Sequence, residues 1–431
     1  MRGKGLRILC TSVALTFLCL SSLFANGATE KSAASNGPAK IWMNTLWHGG
    51  DADAAVIMID KFNKEHPDIQ VDLQQGSWTE YEAQLNNAVM AGQPPQIATI
   101  LNFVMANAYP ALTPLNDSPI GNILEKYGFK KSDFVGNIWD VGTVNGNQYG
   151  IPLDTTMMGI FYNKTIFKQA GLDPNNPPKT MAEFNAAAAA IQKIGKLAFH
   201  PGAFGQPRWY RRMWYILLWQ NGGKLIDDAT NKAAFNTPAG VEALKYLVSV
   251  RSNGWNEKGT NGEAQFEAGD LGMMLNGTWD YLTLAKTKLD WGMMGMPTFY
   301  KKDYTWGSNH TLAIPKQPAG NKNLIGPAAE VIKWYSENSN LWGQYGGHVP
   351  MRKSALENTE LRNSDTWKKS LGTFADMAFN GVYHPLPATP KINEINNAIQ
   401  PYIEEAYNGT ISPEEALSKA EADVNTVLAK K

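Results

Sequence analysis

The chain has 431 residues, 39 Lys+Arg against 39 Asp+Glu, and 43% of it is hydrophobic. The first 25 residues hold three of the basic side chains and no acid. The remainder is therefore slightly acidic, and with no basic run along it, nucleic acid and anionic membrane surfaces are excluded as partners. Roughly 400 further residues exceed what one hydrophobic core supports, so two domains are expected.

In chain order, Arg2, Lys4 and Arg7 precede an apolar stretch over 8–23, and Leu23-Phe24-Ala25 ends it on a small residue. This is the pattern of a cleavable signal peptide, and it places the mature protein in the periplasm. Both cysteines, Cys10 and Cys19, fall inside it, so the mature fold uses no disulfide. Cys19 follows Thr16-Phe17-Leu18, a poor match to a lipid-anchoring signal. Residues 26–39 are mostly small and polar and are expected to form a flexible leader.

From residue 40 the chain alternates strand and helix. A strand is expected over 40–46, a turn at Gly49-Gly50-Asp51, then a helix over 53–65 with Val56, Ile59 and Phe62 inward. Pro67 stops that helix, and 69–73 is the next strand. Thr79 with Glu82 suggests a capping box for a helix through Met90, and 97–101 a short apolar strand. Thr180 with Glu183 caps an alanine-rich helix over 182–194. Ser412-Pro413-Glu414-Glu415 opens another, with proline at its first position. The pattern is α/β, with mixed sheets flanked by helices.

Five segments, in order, carry a resemblance to a known family. Phe62-Asn63-Lys64-Glu65-His66-Pro67-Asp68-Ile69 is the first. Tyr149-Gly150-Ile151-Pro152-Leu153-Asp154 is followed by Phe161-Tyr162-Asn163-Lys164. Phe266-Glu267-Ala268-Gly269 leads to Asn276-Gly277-Thr278-Trp279-Asp280. Residues 328–335 are the fourth, and Gly346-Gly347-His348-Val349-Pro350 is the fifth. Together they resemble the family 1 extracellular solute-binding proteins, which include the maltodextrin- and glycerol-3-phosphate-binding proteins of ABC importers. Gln96 departs from that pattern, which has Asp after Pro94-Pro95. The resemblance implies a two-lobed periplasmic-binding-protein fold of type II with three interlobe crossings, near 152–154, 304–307 and 348–352. Lobe 1 would comprise 40–151 plus 306–348, and lobe 2 152–305 plus 349–431. It also implies a monomer that carries a solute to membrane permease subunits, without cofactor or metal.

A sugar presents hydroxyls, met by carboxylates, amides and Arg, and C–H faces, met by aromatic rings. The chain has 14 Trp, several of them in turn-like segments. Trp279 and Asp280, after a buried strand at 271–275, are the first candidates. Trp47 and His48 follow the first strand, although His48 could instead cap the helix after it. Asn102 follows the strand ending at Leu101. Asp154 lies at a crossing, where it could hold a ligand hydroxyl or an interlobe hydrogen bond. Trp209 follows Gly205-Gln206-Pro207, whereas Trp214 falls at helical spacing with Leu217 and Leu218, which favours core. Trp306, Gly307, His348 and Arg352, near the other crossings, complete the set.

The main rival is a secreted glycoside hydrolase or lyase. Asp154 and Asp280 could be its carboxylates, but nothing in the sequence marks them as a pair. No Gly-x-Ser-x-Gly elbow and no metal-ligand histidine spacing occurs in the sequence. A polyamine, iron or sugar-phosphate ligand is the alternative among binding proteins, with Arg208, Arg211 and Arg212 leaving an anionic sugar open.

Overall fold

A computed structural model describes residues 37–76, 80–202 and 206–430. The expected signal peptide with both cysteines, nearly all of the leader, Thr79 of one capping box, and Gly205 lie outside the described residues.

The strands that build the two main sheets are β1 (Ala39–Thr45), β2 (Ile69–Gln75), β3 (Ile97–Leu101), β4 (Gly150–Pro152), β5 (Asp154–Asn163), β6 (Leu197–His200), β7 (Leu271–Gly277), β8 (Trp291–Met294), β9 (Thr305–Ser308), β10 (His310–Ala313), β11 (Val349–Pro350) and β12 (Tyr383–His384). A five-stranded sheet has the order β2-β1-β3-β10-β4. Its first three strands run parallel, and β10 lies antiparallel to both β3 and β4. The seven-stranded sheet is organised on β5, whose ten residues are all buried. β7, β8, β9 and β11 each pair with β5 antiparallel, so no position along it faces water.

Local chemistry explains most element boundaries. β1 buries Ile41, Met43 and Thr45 in alternation, the signature of a strand with one covered face. Helix α1 (Gly50–Glu65) starts at Gly50 rather than near 53, because Gly49 adopts φ 56°, a left-handed conformation that glycine takes at little cost. The glycine turn is thus shorter than expected, and His48 is not at the helix start. Ile59 and Phe62 face inward as expected, with Ala55 and Met58 beside them, whereas Val56 is 47% exposed. The Thr180–Glu183 capping box forms as expected, and Ser412 Oγ accepts from the Glu415 amide at 3.1 Å. Gln96 holds a strand end: its side-chain Oε1 accepts from Trp42 N at 2.8 Å, while its backbone N donates to Trp42 O at 2.9 Å. No described helix is long and apolar enough to cross a membrane.

The chain passes from the five-stranded to the seven-stranded sheet at Leu153, between β4 and β5. It returns at Asn309, between β9 and β10, a little beyond the expected 304–307. Trp306 and Gly307 therefore belong to the seven-stranded sheet. Backbone hydrogen bonds knit these passages together. Leu153 N donates to His310 O at 2.8 Å, and Met351 N to Leu153 O at 3.3 Å.

Candidate ligand-binding site

A cavity of about 310 Å³ opens beyond the C-terminal ends of β1 and β3, where open α/β sheets bind ligands. One side is built from His48 and Gly49 before α1, Gly50 and Asp51 in its first turn, Leu101 at the end of β3 and Phe103 beyond it. The opposite side comes from helix α2 (Pro207–Gln220), which supplies Gln206 at its N-cap, Arg208, Trp209 and Arg212. The segment after β7 adds Trp279, Asp280 and Thr283, and Glu263 reaches in from another helix. Thr156, Trp306, Ser308 and His310 close the base, next to the passages between the sheets.

Three indoles form a corner. Trp279 lies 5.9 Å from Trp209 and 6.5 Å from Trp306, centroid to centroid, at steep angles to both. Trp279 can take this position because residue 277 is glycine. A Cβ there would stand 2.2 Å from the indole, so the ring rests on bare backbone. Asn276 and Gly277 are still strand, and only Thr278–Asp280 turns, which fixes the ring at a strand end.

The polar groups around the indoles differ in charge state. Asp280 is buried and accepts from Asn276 Nδ2 at 2.7 Å. Burial, then the charge of Glu263 and a hydrogen bond with it, push the Asp280 carboxyl well above the usual carboxylate range. Burial raises Glu263 as well. The two carboxyls thus share a proton, since neighbouring like charges do not both ionise readily. The folded chain then holds a proton that the unfolded chain releases near pH 4, so stability is lost as pH rises through the raised value. Asp280→Asn is expected to melt at a higher temperature than the wild type at pH 8, with the gap closing towards pH 4. A gap independent of pH, measured by calorimetry across that range, would refute the shared proton.

Beside the cavity lies a buried network. His310 Nδ1 donates to Asp154 Oδ2 at 2.8 Å, Trp342 Nε1 to the same oxygen at 2.6 Å, and His310 N to Asp154 Oδ1 at 2.9 Å. His348 Nε2 donates to Asp51 Oδ1 at 2.7 Å, and its Nδ1 lies 3.4 Å from Asp154 Oδ2. Burial alone would lower the His348 pKa, but the charges of Asp51 and Asp154 raise it. Burial would raise Asp154, but His310 and His348 bring it below the ordinary value. Asp154, His310 and His348 present donor atoms within 4.8 Å of one another, a spacing that could hold a metal ion. Each of them is already engaged by its neighbours in hydrogen bonds or close ring contacts.

Of the residues nominated from sequence, His48, Trp209, Trp279, Asp280 and Trp306 line the cavity. The others do not. Trp47 is packed 4.5 Å from Trp342, behind His310. The Asn102 amide donates to Tyr383 Oη at 2.9 Å and accepts from Ser308 Oγ at 2.8 Å. Trp214 is core, its Nε1 donating to Gly240 O at 3.1 Å, as its helical spacing with Leu217 suggested. Gly307 has no side chain because the Tyr383 ring lies where its Cβ would be. Asp154 and His348 belong to the buried network. Arg352 pairs with Asp133 at 3.2 Å and donates to Ser336 Oγ.

Sequence reasoning missed Asp51, Glu263, Gln206 and His310 as lining residues. Arg208 and Arg212, which left an anionic sugar open, both line the cavity one helical turn apart. Glu263 carries no local signal, since only the turn from its helix into β7 brings it against Asp280.

This architecture, two mixed sheets with a solute-sized cavity at their strand ends, is that of a two-lobed α/β binding protein. The family model of the bacterial extracellular solute-binding proteins matches residues 57–375, and the chain belongs to that family. It is similar to the sn-glycerol-3-phosphate-binding periplasmic protein UgpB of Pectobacterium atrosepticum, at 24% identity over 89% of this chain and 90% of the relative. Among solved structures it is similar to the cyclic α-maltosyl-1,6-maltose binding protein of Arthrobacter globiformis, at 25% identity, TM-score 0.70, over 91% of this chain and 99% of that one. It also resembles maltose-bound MalE3 of T. maritima, with 19% identity and TM-score 0.77 over 90% and 99% of the two chains. The family is one of solute carriers, not of enzymes.

Proposed function

We propose that the chain captures a carbohydrate in this cavity and delivers it to the permease subunits of an ABC importer. The observation that carries this reading is the corner of three indoles beside guanidinium and carboxyl groups, of which Asp280 is buried. Indole faces suit the C–H patches of a sugar ring, and the polar groups suit its hydroxyls. Hydrogen bonds to charged groups contribute about 1.5–3 kcal/mol each, and a misplaced hydroxyl leaves one of them unmade, so the wrong epimer is rejected. The sugars named for the Arthrobacter and T. maritima proteins support the same class of ligand.

In this reading the lobes divide as the sheets do, at Leu153, Asn309 and near Val349. Ligand touching both lobes favours the closed form by its differential affinity for that form. The protein acts as a monomer in the periplasm, exported by residues 1–25, and takes no nucleic acid partner.

A thermal-shift screen of the mature protein tests this against neutral sugars, sugar acids, glycerophosphates and polyamines. A ligand at 100 times its Kd stabilises by about 2.7 kcal/mol, a visible rise in Tm. A shift confined to sugars, without turnover of an oligosaccharide, is the expected result. A response to polyamines alone overturns the ligand class, and product formation overturns the binding-protein role.

A further inference from the structure

The N-terminal end of α2 places Arg208 and Arg212 one turn apart on the cavity wall, with Gln206 beside them. Like charges at this spacing repel. Acidic partners usually relieve such repulsion, yet among the described residues the one ion-paired arginine is Arg352. Arg208 Nε is buried without a hydrogen bond. The Arg212 guanidinium carbon sits 4.1 Å from the Trp306 ring centroid and 5.4 Å from that of Trp209. Indole faces therefore hold this guanidinium, as cation–π contacts do, and no carboxylate neutralises it.

The acids of the cavity are engaged elsewhere. Asp280 is hydrogen-bonded to Glu263 and held by Asn276, and Asp51 is held by His348. The positive end of the α2 dipole adds to the two guanidinium charges on the same wall. Against a lone hydroxyl an arginine makes single hydrogen bonds. Against a carboxylate or phosphate its planar fork makes paired, charge-assisted ones.

We propose that the solute is an anionic sugar, with carboxylate or phosphate oxygens seated on Arg208 and Arg212 and its ring against the indole corner. This rests on the carbohydrate reading and narrows it. Titration calorimetry on the mature protein tests it with matched probes: glucose and glucuronate, galactose and galacturonate, glucose 6-phosphate, and two acids without a ring, glycerol 3-phosphate and lactate.

The expected result is that one sugar acid binds at least about tenfold more tightly than its neutral counterpart. A uronate or the sugar phosphate giving the tighter binding distinguishes the two sources of the anion. Arg212→Gln should then weaken that acid by about 30-fold or more, while changing any neutral sugar less than about threefold. Arg208→Gln gives a second reading should the first variant not fold. The proposal is overturned if neutral sugars bind as tightly as their acids, or if none of the acids binds. Binding of glycerol 3-phosphate or lactate while every sugar fails would remove the carbohydrate reading and leave the anion seat standing.

Discussion

Asp154→Asn is expected to destabilise the protein by about 3–5 kcal/mol, the cost of removing one partner from a buried charged cluster. Asp154 is completely buried and accepts from His310 N, His310 Nδ1 and Trp342 Nε1, with His348 Nδ1 close by. An asparagine of the same shape presents an NH2 group to one of these donors and removes the charge that His348 faces. The effect carries a pH signature. The lowered Asp154 pKa contributes stability above the unfolded value near 4, lost as pH falls through the folded value. The raised His348 pKa contributes stability below the unfolded value near 6.5, lost as pH rises through its folded value. The difference between wild type and variant is therefore largest between about pH 4 and 6.5. Urea unfolding midpoints from pH 4 to 9 measure it. A loss below about 1 kcal/mol at pH 6 would show that the cluster is not an ionic one.

This network also shows where the sequence stops being informative. The two possibilities for Asp154 were a ligand hydroxyl and a bond across the crossing, and the residue makes the second, with His310. Deciding between them needs the position of His310, 156 residues away in sequence. Asn102 has the same history: the end of β3 is a plausible place for a ligand amide, but Tyr383 and Ser308 occupy both ends of its side chain.

Elements fixed by local chemistry were legible. The first strand was placed to within one residue, and the Thr180 box and the proline-led helix at 413 follow from neighbours in sequence. The start of α1 was misplaced because Gly49 and Gly50 read alike. Only one of them takes a positive φ, and the other is already helix. The cavity was half legible for a similar reason. Trp279 and Asp280 announce themselves in a polar turn, whereas Glu263 matters only because Asp280 is buried against it.

Trp279→Ala is expected to weaken the sugar that gives the largest thermal shift by about 10- to 100-fold, or roughly 1.4–2.8 kcal/mol. The indole is only partly buried, lies over Gly277, and forms the open face of the corner with Trp209 and Trp306. Its removal takes away a stacking face while leaving the strand beneath intact, so Tm without ligand should move little compared with the affinity. Trp279→Phe retains an aromatic face and should recover most of the binding. Gly277→Ala attacks the same ring from below, because the new Cβ occupies the indole's place, and it should mimic Trp279→Ala without substituting any residue that lines the cavity. Calorimetric Kd values for the three variants, read beside their unliganded Tm, separate a ligand platform from a packing residue. Unchanged affinity with a lowered Tm in Trp279→Ala would assign the ring to the packing of its own lobe and remove the proposed stacking platform.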